Sequence, residues 1–117
     1  MKVIIAGSRG LDDYDQVCEA MDLALVMAGI APSVVLSGAA RGVDALGEKW
    51  ASERGLPIDS HPAPWGKYPK MAGHMRNVQM GRQADALVAI WDGSSRGTLH
   101  MIEWMRKAGK PVYVHQA

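Results

Sequence analysis

The chain has no phenylalanine and a single cysteine among its 117 residues. One thiol makes no internal disulfide, so Cys18 reads as a small apolar side chain within a helix, and the expected compartment is the reducing cytoplasm. No apolar stretch approaches the ~20 residues that cross a bilayer, so no membrane partner is expected, and a strand pattern begins at Lys2 with no leader to remove. The formal charge is only +1 and no dense Lys/Arg run occurs. The field that releases counterions from duplex DNA is therefore missing, and nucleic acid is not an expected partner. His61, His74, His100 and His115 are scattered around a lone thiol, so no metal site is expected, and nothing calls for a cofactor. Ser37, His74 and Asp92 could be assembled into a triad on paper, yet no GxSxG elbow presents a serine. Internal repeats and low-complexity tracts are absent as well.

What is present is 48% hydrophobic, with eight Met and four Trp. That describes one domain, residues 1–117, able to bury roughly two-thirds of its unfolded surface. The run at 2–6, apolar after Lys2, reads as a strand buried on both faces, 34–36 and 86–91 read as further strands, Pro111 to Val114 closes the set, and the polar, Pro-containing 57–61 reads as a weaker edge strand. Between them lie helical patterns. Asp12 or Asp13 caps the first, whose Val17, Met21, Leu25 and Ala28 share a face before Gly29 stops it. Leu46 and Trp50 mark the second, Met71, Met75, Val78 and Arg82 the third, and Leu99, Ile102 and Met105 the inward face of the fourth. Strands alternating with helices predict an α/β fold, a Rossmann-like three-layer sandwich with about five mostly parallel strands.

Three of the strands end in small residues and an arginine: Gly7-Ser8-Arg9, Ser37-Gly38-Ala39-Ala40-Arg41-Gly42-Val43-Asp44 and Asp92-Gly93-Ser94-Ser95-Arg96-Gly97-Thr98. In a parallel sheet these turns share one edge and can converge on one crevice. Any one alone is explained by an ordinary strand-to-helix connection; repetition, with an Arg each time, favours a shared phosphate or carboxylate. The predicted ligand residues follow from that. Gly38, Gly42 and Gly97 allow close backbone approach and Ala39 keeps the loop open, while Ser37, Ser95 and Thr98 offer hydroxyls. Arg9, Arg41 or Arg76 pairs with charge, Asn77 adjoins Arg76, and Asp44 or Asp92 either contacts a ribose or caps a helix. The Pro-rich segment 61–70 presents Trp65, to stack on a base or pack on the core. Two carboxylates could also cleave a glycosidic bond.

These turns, with Met75-Arg76-Asn77, resemble the SLOG superfamily, and most closely its small YspA/YpsA-related branch, over essentially the whole chain. Ser-Gly-x-Ala-Arg-Gly-x-Asp also resembles the Gly-rich turn of DprA/SMF proteins, and Arg96-Gly97-Thr98 that of lonely-guy phosphoribohydrolases. The resemblance implies a Rossmann-like domain binding a nucleotide or an ADP-ribose-like derivative at the strand ends. The lonely-guy pattern Gly-Gly-x-Gly-Thr-x-x-Glu, laid on Ser94 to Met101, puts Met101 where the catalytic Glu belongs, and a thioether does no acid–base work. Binding as a sensor or sequestering module is therefore preferred, with N-glycosidic hydrolysis of nucleoside 5′-monophosphates as the alternative. A homodimer is also expected, with the helix bearing Met101, Trp104 and Met105 as its candidate face.

Overall fold

A computed structural model describes residues 1–117. Five strands, β1 (Lys2–Gly7), β2 (Val34–Ser37), β3 (Ile58–Ser60), β4 (Ala86–Trp91) and β5 (Val112–Gln116), alternate with four helices, α1 (Tyr14–Ala28), α2 (Val43–Glu53), α3 (Ala72–Gln83) and α4 (Arg96–Lys107). The sheet order is β3-β2-β1-β4-β5, and every pairing is parallel. The central strands β1, after Lys2, and β4 are apolar because helices cover both their faces; the exposed, polar β3 takes an edge.

Alternate residues of one strand feed opposite cores. Val3 and Ile5 join Val17, Met21, Val43 and Trp50 beneath α1 and α2, whereas Ile4 joins Met80, Met101, Ile102 and Met105 beneath α3 and α4. Each fully buried aliphatic side chain contributes about 1.5–3 kcal/mol, so the sandwich is fixed by this two-sided burial. The chain winds outward through β2 and β3 on one side of β1 and through β5 on the other side of β4. The connections thus diverge between β1 and β4, and their carboxyl ends frame a switch-point crevice.

Local signals place the helix ends. Asp13 caps α1 by accepting from the Asp15 N–H, and Ser95 caps α4 by accepting from the Thr98 N–H. Several expected faces are corrected. The buried stripe of α1 is Val17, Ala20, Met21 and Ala24, while Leu25 and Ala28 are exposed, because the chain turns away at Gly29 to seat Ile30 in the core. On α3 the buried residues are Ala72, Asn77, Met80 and Gly81, and Met71 and Met75 face outward. On α4 Leu99 is exposed, and Met101 and Met105 are 1% and 0% exposed within the protomer's own core, so they form no dimer face. No helix is long and apolar enough to cross a membrane.

Candidate functional site

A crevice of about 470 Å³ opens at the carboxyl ends of β1 and β4. Gly7, Ser8 and Arg9 reach it from the turn after β1, Asp44 from the first turn of α2, Trp65 from the Pro-rich segment, Arg76 and Asn77 from α3, and Asp92, Ser95, Gly97 and Thr98 from the turn after β4 and the start of α4. A smaller hollow of about 320 Å³ adjoins it, lined by Gly38, Ala39 and Arg41 and sharing Arg9, Trp65 and Arg76 with the crevice.

Arg76 is the organising cation. Its Nη1 donates to the Gly38 carbonyl and its Nε donates to Asn77 Oδ1 at 3.0 Å. The remaining guanidinium N–H groups have no protein partner and are free for an anion. Burial lowers the Arg76 pKa and the nearby Asp44 carboxylate opposes that shift. Asp44 is 6% exposed, and its hydrogen-bond partner is the Ala40 N–H, bonded to Oδ2 at 3.2 Å. Its pKa is raised, chiefly by burial, against the lowering influence of the Ala40 N–H and of Arg76. Each group is strained electrostatically by the low-dielectric wall, and a polar ligand would relieve both.

The loops are tied to one another before any ligand arrives. Ser8 Oγ accepts from the Asp92 N–H at 3.1 Å, joining the turns after β1 and β4. Asp92 Oδ1 accepts from the N–H groups of Ser94 and Ser95, and these bonds hold its pKa down to about 2. Ser95 Oγ and Thr98 Oγ1 lie 3.0 Å apart in a mutual hydrogen bond at the α4 N-terminus. Trp65, half exposed, stands at the mouth with the Arg9 guanidinium carbon 5.6 Å from its ring centroid.

Some sequence-derived assignments are placed elsewhere. Ser37 is 1% exposed and donates to Glu48 Oε2 at 2.6 Å while accepting from the Ala39 N–H, so its hydroxyl faces no cavity and belongs to no triad. Gly42 also lies outside both cavities: at φ 74 it caps α2, and a Cβ there would overlap the Arg9 backbone. Its bareness lets two loops approach one another rather than a ligand. Gly38, Ala39 and Arg41 line the adjoining hollow instead of the main crevice, and Arg96 lines neither. Lys70, Gly73, His74, Met80 and Met101 line the crevice without having been assigned from sequence. Helical spacing is the signal that would have found most of them: Gly73 and Met80 lie four before and three after Asn77, and Met101 lies one turn below Gly97 and Thr98. Met101 thus sits at the crevice wall, with a thioether where the hydrolase pattern needs a carboxylate.

A family model described as the YspA, cpYpsA-related SLOG family matches residues 1–68. The chain belongs to that family. The matched SLOG segment carries the turns after β1 and β2 and Trp65, whereas Arg76 and the turn after β4 lie beyond it. The chain is also similar to the Gene 61 protein of Mycobacterium phage D29, 36% identical over 119 residues that cover 95% of this chain and 93% of that protein. No solved structure matches significantly.

Proposed function

We infer that this SLOG domain binds a nucleotide or a nucleotide-derived, ADP-ribose-like ligand in the switch-point crevice and serves as a sensor or sequestering module. The observation that carries the reading is the placement of the Arg76 guanidinium and the buried Asp44 carboxyl together beside Gly38, both lining the crevice without bonding one another. A phosphate satisfies the free guanidinium N–H groups, a ribose hydroxyl donates to Asp44, and Trp65 covers the base. The volume suits the purpose, since small-ligand sites occupy about 300–1,000 Å³. Family membership supports a nucleotide-related ligand.

The test is to purify the protein under native conditions, denature it, and identify released small molecules by mass spectrometry. A nucleoside phosphate or nucleoside diphosphate derivative is the expected finding. If none is retained, and adding millimolar nucleotides moves no amide resonance around the crevice, the reading fails.

One observation favours the hydrolytic alternative: Asp44 is a buried carboxyl whose raised pKa suits an acid. Against it, position 101 supplies no second carboxyl to stabilise positive charge at the anomeric carbon. Release of free base from nucleoside monophosphates on the order of once per second would establish the alternative. Self-association belongs to the same proposal; the large apolar side chains left exposed include Leu25, Val26 and Met27 on α1 and Met71 and Met75 at α3. Sedimentation at tens of micromolar tests it, and a monomer there contradicts it.

A further inference from the structure

The Asn77 amide is oriented by two neighbours whose hydrogen-bonding roles cannot change. Arg76 Nε only donates and faces Oδ1 at 3.0 Å; the Gly97 carbonyl only accepts and faces Nδ2 at 3.1 Å. The same Nδ2 lies 3.1 Å from His100 Nδ1, so its second proton points at that ring nitrogen. His100 Nδ1 must then carry a lone pair, and the ring proton must sit on Nε2. Asn77 is 5% exposed, so water cannot easily replace a lost partner.

We propose that His100 is a positioning residue for the ligand site: as the neutral Nε2–H tautomer it accepts from Asn77, and this contact holds the amide in the orientation that aims the Arg76 guanidinium into the crevice. The inference rests on Arg76 being the ligand's anion partner. A proton on Nδ1 would set two donors against each other. Flipping the amide to relieve that would oppose Nδ2 to Arg76 Nε and Oδ1 to the Gly97 carbonyl, so the imidazolium is incompatible with the arrangement. The groups facing His100 reinforce this. From α3, His74 stacks on the ring at 4.0 Å and 8°, Arg82 shares its outer groove, and Arg76 lies beyond Asn77; from α4, Glu103 alone favours the cation. Burial first and His74 second depress the His100 pKa. His100 lines the outer groove rather than the crevice, so it acts through Asn77.

The first arm of the test needs no ligand. Nitrogen-15 correlation spectra at pH 7.5 should show the Nε2–H tautomer for His100, and His100→Leu should speed exchange of the Arg76 Nε–H about tenfold or more. An Nδ1–H tautomer, or unchanged exchange, overturns the proposal whether or not nucleotides bind. The second arm uses adenosine 5′-monophosphate as probe. His100→Asn puts an amide oxygen close to the Nδ1 position and should bind within about threefold of wild type, whereas His100→Leu should bind about 5- to 20-fold more weakly. Below the ordinary imidazole range wild type should lose affinity relative to His100→Asn, a comparison in which the phosphate's own ionisation cancels. Parallel pH profiles, or equal losses in both variants, overturn it. Should His100→Leu fail to fold, the tautomer and the His100→Asn profile decide. Should no protein bind the probe, the nucleotide reading is what has failed, and the ligand-free arm still decides this one.

Discussion

The Arg76 guanidinium occupies the space that a side chain on Gly38 would need. A Cβ there would overlap Nη1 and lie 2.7 Å from Asp44 Oδ2, so one bare position makes room for both charged side chains of the site. Gly38→Ala should therefore cost only about 1–2 kcal/mol of stability, because the tips of two side chains can yield. Its effect on the site should be larger, a loss of nucleotide affinity of about tenfold or more. Urea unfolding read beside calorimetric titration separates the two quantities.

Ala39 holds φ 58, the left-handed region that a Cβ disfavours, and its N–H is tied to Ser37 Oγ. Relief of about 1–2 kcal/mol from Ala39→Gly is partly offset by the greater freedom of glycine in the unfolded chain, about 0.4–1 kcal/mol. A net gain of about 0.5–1 kcal/mol should raise the urea midpoint at unchanged slope; a lower midpoint contradicts the strain.

Asp44 carries a raised pKa, so the native state holds its proton at pH values where the unfolded chain has released it. Stability contributed by this group is therefore present at acid pH and is lost as pH rises from the ordinary 3.8 through the folded value. Asp44→Asn keeps an oxygen for the Ala40 N–H without the buried charge. The variant should be more stable than wild type at pH 7 and equal to it near pH 3. Equal stability at both pH values would remove the burial argument.

Asp92 shows the opposite sign. Its pKa of about 2 lies below the ordinary 3.8, so its contribution is complete above that ordinary value and disappears as pH falls toward 2. Exchange protection of the Ser94 and Ser95 amides should fade across that window in wild type but not in Asp92→Asn, which retains the acceptor oxygen. Loss in both proteins would assign the fading to global unfolding.

The sandwich is legible in the sequence because its apolar runs and its breakers agree: β1 after Lys2 and β4 are apolar, and Asp13 and Gly29 bound α1 where expected, whereas Ser95, expected only as a ligand hydroxyl, caps α4. The inward face of α3 was not. Methionine lies on both sides of that helix, so spacing alone fits Met71-Met75-Val78 as well as the side holding Met80; packing beside Trp104 across Gly81 decides it. Within the crevice, sequence identified loop residues but not their commitments. Glu48, eleven positions from Ser37, claims its hydroxyl, and the Arg9 backbone claims the space beside Gly42. Lys70 and His74 were visible only as residues beside a helix start, and their place on the crevice depends on how α3 is turned.

The central claim is that Arg76 binds the anion of a nucleotide-like ligand, and calorimetric titration of a nucleotide panel against wild type, Arg76→Ala and Lys107→Ala tests it most directly. Lys107, exposed at the end of α4, serves as the control; Lys110 does not, because its Nζ donates to the carbonyls of Gly81 and Ala84 at the end of α3. Loss of a charge-assisted pair worth about 1.5–3 kcal/mol predicts about 10- to 150-fold weaker binding in Arg76→Ala, with Lys107→Ala matching wild type. Equal affinities in all three proteins, or no nucleotide bound by any, would contradict the account.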